Sequence, residues 1–370
     1  MRLTAKGLMA LLMGVAMVAL PVRRADAQVT PAAGSTPPDD TPSIRLGATI
    51  YADYTYTKSP DTTDADGNTI HPSAFNVSRS YLNITGNISH VVAFRITPDI
   101  VRDTSATSAL NGSLVFRIKY AFAQINLDDW MTPGSWTRLG IQQTPWVDFE
   151  ENIYRYRFQG TVFPEREGFL SSSDAGASFH WNLPSNYGDV HVGVYNGENY
   201  NRQEVNDQKA LQFRGTVRPF ARSSIRALRG LRAHAFYNAD HYVKDGERRR
   251  FVGSATFEHA YLNAGVDYLK ATDRISITRP EAEANGYSFW ATPRSPRGFE
   301  GLLRYDHMTP NAALPSQTRN RTIVGVAYWF PHQGNVSTAL MLDYDGQTLN
   351  NFAPALPKQQ RVAVHGLVNF

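Results

Sequence analysis

Apolar and polar residues alternate strictly along much of this chain, and this alternation limits the possible folds more than any other feature. Between Ile44 and Tyr56, apolar side chains occupy every second position over thirteen residues. A period of two places successive side chains on opposite faces of an extended strand. Most strands of globular proteins are shorter, at about five or six residues. The same alternation returns at residues 114–122 and 362–370. The pattern therefore predicts an all-β protein with long strands.

Segments of this kind recur along the chain with connections of two lengths. The connections after odd-numbered segments are predicted to be long and polar, and those after even-numbered segments mostly short, with an exception near residues 218–230. Transmembrane β-barrels show this parity because their external loops are long and their periplasmic turns are tight. The sixteen predicted strands lie near residues 44–56, 75–88, 91–101, 112–127, 135–142, 172–181, 189–195, 209–217, 231–239, 249–258, 261–269, 286–292, 298–307, 320–330, 336–345 and 359–370.

We therefore predict a transmembrane antiparallel β-barrel of about sixteen strands, with long external loops and short periplasmic turns. A soluble, secreted β-sandwich that binds carbohydrate is the alternative, because its buried face would give the same alternation. Three features favour lipid contact. Aromatic residues such as Tyr54 and Tyr328 collect at strand ends, where interfacial girdles lie. The chain closes on an alternating strand with Phe370, and one hydrophobic core rarely grows to this length without dividing.

The N-terminus predicts export. Arg2 and Lys6 precede an apolar run, and Ala25-Asp26-Ala27 fits a cleavage site of small residues. This arrangement is typical of a secretory signal peptide. The predicted organisation is a signal peptide at 1–27, a flexible periplasmic lead-in at 28–43 and a transmembrane β-barrel at 44–370.

Charge and composition exclude several other classes. Of 37 basic and 33 acidic residues, four basic and one acidic lie in the predicted signal peptide, which leaves a net charge of +1. Such a balance gives no support for nucleic-acid binding. The chain contains no cysteine, so it has no disulfide, thiolate nucleophile or cysteine metal site. Its ten histidines show no metal-ligand spacing. We predict no metal and no cofactor.

Residues 75–100 (FNVSRSYLNITGNISHVVAFRITPDI) resemble an early hairpin of the phosphate-selective porin O/P family. In that family an Arg-bearing strand, a glycine, a tight turn and a strand ending in an acidic residue follow in order. The matching positions here are Arg79, Gly86, Ser89–His90 and Asp99. Weaker similarities occur at residues 301–306 (GLLRYD) and 324–330 (VGVAYWF).

The resemblance implies a homotrimeric diffusion channel in a bacterial outer membrane. Small hydrophilic solutes, including anions, would cross it passively. Its implied partners are outer-membrane lipid, lipopolysaccharide and the barrel-assembly machinery. A terminal aromatic residue resembles the signal by which porins are handed to that machinery, which gives Phe370 the role of an assembly signal.

In porins the loop after the fifth strand folds into the barrel and sets the constriction, and the resemblance implies this role for residues 143–171. An acidic cluster there precedes a basic aromatic run, and the two would create a transverse field in a narrow lumen. If that run is extended, Arg155 and Arg157 project together. A surface loop of mixed charge is the alternative. The family places lysines in this loop, but none lies between Lys119 and Lys209, which argues against dedicated phosphate capture. The predicted constriction residues are Asp148, Glu150, Glu151, Arg155, Arg157 and Arg166.

Strand parity predicts which charged side chains face the lumen. With the apolar residues toward lipid, eleven basic and eight acidic side chains of the strands turn inward. Inward Arg and Lys raise the local concentration of anions, so a mild anion preference is expected. The alternative is that opposed charges pair and stiffen the wall. The predicted pore-wall residues are Arg79, Arg95, Arg117, Lys119, Arg138 and Arg304.

An outer-membrane barrel hydrolase is a further alternative. It would need a Ser–His pair, and the chain contains neither a G-x-S-x-G motif nor a third residue at a spacing that would orient a base. We therefore predict that the protein is not an enzyme. The candidate pairs would be Ser178 or Ser254 with His180, His234 or His259.

Overall fold

The computed structural model describes residues 39–332 and 336–370. The predicted signal peptide (1–27) and residues 28–38 of the predicted lead-in lie outside the described residues, as do residues 333–335 of one predicted turn. In the part of the chain that is described, no helix is long and apolar enough to cross a membrane.

Antiparallel strands form one closed barrel. They are β1 (Ser43–Ser59), β2 (Ser73–Asn87), β3 (Val92–Arg102), β4 (Leu114–Asn126), β5 (Trp136–Gln143), β6 (Ser173–Asn182), β7 (Gly188–Tyr195), β8 (Ala210–Val217), β9 (Leu231–Val243), β10 (Gly246–His259), β11 (Leu262–Asp273), β12 (Ala282–Pro293), β13 (Phe299–Thr309), β14 (Thr318–Phe330), β15 (Ser337–Asn350) and β16 (Gln359–Asn369). Each strand pairs with the next along the chain, and β1 closes the ring by pairing with β16. Each of the sixteen strands overlaps its predicted segment, so the predicted fold is confirmed.

The connection after β9 is shorter than predicted. The parity pattern predicts a long loop, but Lys244 and Asp245 alone join β9 to β10. Asp245 has a φ of 63°, a left-handed conformation that Asp tolerates in tight turns. The strands continue to this turn because Asp240 and Arg248 lie opposite each other and form an ion pair. The prediction of a long loop here is wrong.

Three short elements lie in other connections. The first loop contains a small hairpin of Thr62–Thr63 with Thr69–Ile70. The predicted exception near residues 218–230 is present, and it includes 3₁₀ geometry at Ala227–Gly230. A second 3₁₀ turn, at Pro184–Asn186, lies between β6 and β7.

The outer surface of the barrel is apolar. On β15, the outward side chains of Leu340, Leu342 and Tyr344 are 37–56% exposed, whereas Met341 and Asp343 between them are buried. A soluble sandwich would bury its apolar face and expose its polar face. The reverse arrangement here is that of a lipid-facing barrel, and the soluble-sandwich alternative is therefore wrong.

Aromatic pairs lie on the exterior near both ends of the barrel. Tyr54 and Phe75 pack with ring centroids 4.7 Å apart near the loop between β1 and β2. Phe299 and Tyr328 do the same at 4.9 Å near the opposite end. Amphipathic rings are favoured at membrane–water interfaces, so the predicted girdle positions carry paired aromatic side chains.

The barrel interior is largely filled by one loop. The inner loop, residues 144–172, connects β5 to β6 and contains helices α1 (Val147–Tyr154) and α2 (Phe163–Arg166). Its apolar side chains pack against inward-facing apolar residues of β9 to β16 and form one core with them. The loop contributes Trp146, Val147, Ile153, Tyr154, Tyr156, Phe158, Val162 and Phe163. The wall contributes Phe236, Val252, Leu269, Trp290, Leu302, Ile323, Met341 and Leu367, among others.

Candidate pore constriction

The inner loop crosses the lumen as a helix, a sharp turn and a second short helix. Arg155 follows α1 with a φ of 69°, and its backbone N–H still donates to the Glu151 carbonyl at 2.8 Å. The left-handed residue redirects the chain after one helical segment. The run around Arg157 is therefore not extended, and the prediction that Arg155 and Arg157 project together is wrong.

Wall side chains hold the backbone of the inner loop. Irregular backbone at membrane depth needs partners for its polar groups. Arg214 on β8 donates to the Pro145 carbonyl, Asn263 on β11 to the Ile153 carbonyl, and Arg304 on β13 to the Thr161 carbonyl, each at 2.8 Å. These bonds, together with the apolar core, fix the loop against one side of the barrel.

The three predicted acidic residues of the constriction have different partners. Asp148 accepts a hydrogen bond from the Tyr120 hydroxyl on β4 at 2.8 Å. Glu150 accepts one from Trp146 Nε1 at 2.6 Å and is buried. Glu151 forms an ion pair with Arg157 at 2.6 Å. The acidic cluster is thus dispersed over three contacts.

The three predicted basic residues of the loop also separate. The Arg155 guanidinium pairs with Glu300 on β13 at 3.0 Å and lies 4.4 Å from the ring centroid of Trp329. Arg157 stays within the loop, where Glu151 and Glu165 are its partners. Arg166 lies 3.6 Å from Asp345 on β15. Two of the three arginines therefore attach the loop to the wall.

Burial and neighbouring charges change the acidity of the loop side chains. Burial raises the pKa of Glu151 to about 7, although the adjacent Arg157 opposes the shift. Burial alone would lower the pKa of Arg157, but Glu151 and Glu165 raise it well above its usual value. Burial and nearby Asp267 raise the pKa of Glu150 well above its usual range. Arg157 therefore remains charged across the physiological pH range.

A cavity of about 410 Å³ remains between the inner loop and the opposite wall. β1, β2, β15 and β16 line it on the wall side, and residues 157–161 line it on the loop side. Tyr51 and Phe158 contribute rings. The charged and titratable residues that line it are Arg79, Arg157, Arg361, Asp53, Asp343 and His365.

The basic side chains around this region are more exposed than their acidic partners. The side chains of Arg79 and Arg117 are 20% and 28% exposed, whereas that of Asp99, which pairs with both, is fully buried. Asp343 is 1% exposed and accepts hydrogen bonds from Gln159 and His365. Water in the lumen therefore contacts guanidinium groups more than carboxylates, although Asp53 is half-buried and also faces the cavity.

The other four predicted wall residues turn inward but are buried. Lys119 donates to the Tyr81 hydroxyl at 3.2 Å, and Arg95 donates to Asn83 at 2.9 Å. Arg138 lies 3.6 Å from the ring centroid of Trp136. Arg304 donates to both carboxylate oxygens of Asp306 at 2.8 Å. These four residues stabilise the wall and the loop and are shielded from the cavity.

Tyr200 is a lumen residue that sequence reasoning missed. It lies in the loop between β7 and β8, and its hydroxyl donates to Asp99 Oδ2 on β3 at 3.3 Å. The Arg117 guanidinium stacks 4.9 Å from its ring centroid. This second loop therefore reaches across the barrel mouth. No local pattern marks the residue, because the contact joins positions about a hundred residues apart in the sequence.

The candidate Ser–His pairs have other partners in the structure. Ser178 donates to Gln142, and His180 contacts Asp189. Both ring nitrogens of His234 contact threonine hydroxyls, and His259 stacks on the Phe257 ring. Within the described residues these side chains form no serine–histidine hydrogen bond that would make a nucleophile.

Comparisons with known proteins identify the fold. No protein-family model matches the sequence, and no curated protein matches it. The solved structure of Salmonella typhi OmpF is similar with a TM-score of 0.60 and 12% identity over 90% of this chain and 98% of that one. The solved structure of the outer membrane channel DcaP of Acinetobacter baumannii has a TM-score of 0.57 and 14% identity, and the match covers 93% of this chain and 100% of that one. A loop L8 deletion mutant of OmpT, an outer membrane protein of Vibrio cholerae, has a TM-score of 0.57 and 11% identity, and the match covers 90% of this chain and 100% of that one.

Identities this low establish the architecture alone. The predicted resemblance to the phosphate-selective family is not confirmed by these structures and stays a prediction. The closed sixteen-strand barrel is the architecture that this chain shares with these outer-membrane proteins. The chain has the fold of a porin-type β-barrel of the bacterial outer membrane.

Proposed function

We propose that this protein is an outer-membrane porin through which small hydrophilic solutes diffuse passively, with a mild preference for anions. The observation that carries the proposal is the cavity of about 410 Å³ inside a closed, lipid-facing barrel. Larger porin-type barrels leave an aqueous channel, and here the inner loop narrows that channel to one side of the lumen.

The exposed arginines support the anion preference. Arg79, Arg117 and Arg157 reach the lumen. Asp99, the partner of the first two, is fully buried, whereas Glu151 and Glu165 are about as exposed as their partner Arg157. Positive charge in a pore raises the local anion concentration. Asp53 on the cavity wall offsets part of this effect, so the preference is mild.

The remaining properties are also proposals. The signal peptide (1–27) directs export, and residues 28–43 lie in the periplasm. The loop between β1 and β2 and the start of the inner loop face outward, next to lipopolysaccharide. Phe370 serves the assembly machinery. The OmpT structure described as a trimer supports a homotrimer.

Reversal potentials across planar bilayers with a salt gradient test the selectivity. Replacing Arg157 by Gln removes a charge that lines the cavity, and should shift selectivity toward cations. A unit charge a few ångströms from an ion is worth about 1 kcal/mol even in water, so the permeability ratio should change by about two- to fivefold. Arg79→Gln should act in the same direction.

Arg155→Gln is the matched control. It removes the same charge from the same loop, but Arg155 is buried against Glu300, which keeps Arg294 as a second partner at 3.6 Å. Its reversal potential should equal that of the wild type. Equal shifts in both variants, or no shift in Arg157→Gln, would contradict the proposed position of the pore.

A further inference from the structure

Two carboxyl groups meet where the inner loop contacts the wall. Glu150 on α1 lies within hydrogen-bond reach of Asp267 on β11. Their side chains are almost fully buried, with exposed fractions of 2% and 0%. The neighbouring bond from Asn263 to the Ile153 carbonyl, at 2.8 Å, keeps α1 against β11. The channel chemistry described above uses neither carboxyl group.

The surrounding charges do not neutralise this pair. Arg304 is the cation that faces it, and that guanidinium already donates to both oxygens of Asp306 and to the Thr161 carbonyl. Ser288 donates to the same Asp306 at 2.7 Å. Asp148 and Glu151, also on α1, contact Tyr120 and Arg157 instead. The Arg304 guanidinium is therefore the cation near three buried carboxyl groups, those of Asp306, Glu150 and Asp267.

The hydrogen bonds around Asp267 also do not compensate for a negative charge on both carboxyl groups. Within the described residues, no N–H group donates to either Asp267 oxygen. Its remaining neighbours are the hydroxyl of Ser254 and the carboxyl of Glu150. One hydroxyl does not replace the several donors that a buried carboxylate needs, whereas a proton on one of the two carboxyl groups would supply a further donor. Two carboxylates this close cannot both ionise readily.

We propose that Glu150 and Asp267 share one proton at neutral pH, and that this proton latches the inner loop to the barrel wall. At alkaline pH the proton is lost, the two carboxylates repel each other, and α1 loosens from β11. Burial raises the pKa of Glu150 in the direction this requires. The conductance consequence rests on the proposed channel function, whereas the shared proton does not.

Infrared difference spectroscopy of the purified, lipid-reconstituted protein tests the shared proton. Glu151, with a pKa of about 7, would also give such a band, so the test uses a Glu151→Gln background. This background should show the C=O band of a protonated carboxyl at neutral pH, shifted in D₂O and lost at alkaline pH. Glu150→Gln and Asp267→Asn should each abolish this band, because one amide can donate to the remaining carboxylate. Glu165→Gln, which changes another carboxyl of the same loop, should retain it. A band that persists when Asp267→Asn is added to the Glu151→Gln background, or that is absent from that background, would overturn the proposal.

Single-channel recording tests the latch. Wild-type current should be steady at neutral pH and fluctuate at alkaline pH, and Glu150→Gln or Asp267→Asn should remove the alkaline transition. Heat-modifiable gel mobility would confirm that each variant is folded. A wild type whose current is unchanged while the infrared band titrates would overturn the latch. A protein that gives the infrared result but no current would refute the channel function and leave the shared proton standing.

Discussion

Replacing residues 145–171 by a short Gly-rich turn should raise the single-channel conductance several-fold. The inner loop fills the lumen on the side of β9 to β16 and leaves a cavity of about 410 Å³. The replacement is sterically simple, because Thr144 N–H already donates to the Ser172 carbonyl at 3.2 Å and Gln143 pairs with Ser173. Without the loop, a barrel of this size has a wide aqueous lumen. Conductance in planar bilayers measures the change.

The control for this experiment is to show that the barrel of the variant is still closed. Each strand keeps its neighbours when the loop is removed, so the variant should retain heat-modifiable mobility. Removing the loop wets apolar wall residues such as Trp290 and Leu302, so a lower unfolding temperature is expected. A folded variant with unchanged conductance would mean that the inner loop does not limit the pore.

Deleting Phe370 should leave most of the protein outside the membrane as unfolded periplasmic material. Phe370 makes the last closing contact of the barrel, because its N–H donates to the Ala48 carbonyl and its carbonyl accepts from the Ala48 N–H, both at 3.0 Å. Gly47 permits this approach, since a Cβ there would lie 2.5 Å from the Phe370 carbonyl oxygen. The 61% exposed ring also lies where an interface favours aromatics.

Phe330→Ala is the matched comparison for Phe370. Phe330 is an exposed aromatic residue at the end of β14, on the same end of the barrel. It takes no part in the pairing of β1 with β16 that closes the barrel. Fractionation and heat-modifiable mobility should show near-normal assembly for Phe330→Ala and for Phe370→Tyr. Normal assembly after deletion of Phe370 would contradict the proposal that it is the assembly signal.

The strands were predictable because lipid imposes the alternation. A barrel wall meets lipid on one face and the lumen on the other, so a period of two marks every strand. The ends of the strands were less predictable from the sequence. β9 and β10 continue to a two-residue turn because Asp240 pairs with Arg248, and ladder pairing between charged residues leaves no apolar signal in either strand.

The arrangement of the candidate site was only partly predictable. Alternation indicated that Arg79 and Arg304 both face inward, but their exposure depends on the inner loop, which covers Arg304 and leaves Arg79 open. One sequence signal indicated which strands the inner loop covers. Leu302-Leu303 and Ile323-Val324 interrupt the alternation, and strands that are apolar on both faces indicate burial on both. These are strands on which the inner loop packs.

Cysteine modification tests the central claim most directly, since the natural chain contains no cysteine. Thr55→Cys places a thiol on the cavity wall, and Ser178→Cys places one on β6, away from the cavity, where Ser178 is 5% exposed and donates to Gln142. A negatively charged methanethiosulfonate reagent, added during single-channel recording, should reduce the current through Thr55→Cys and leave Ser178→Cys and the wild type unchanged. A current that is insensitive at Thr55→Cys, or blocked at Ser178→Cys alone, would show that solutes do not pass between the inner loop and β1.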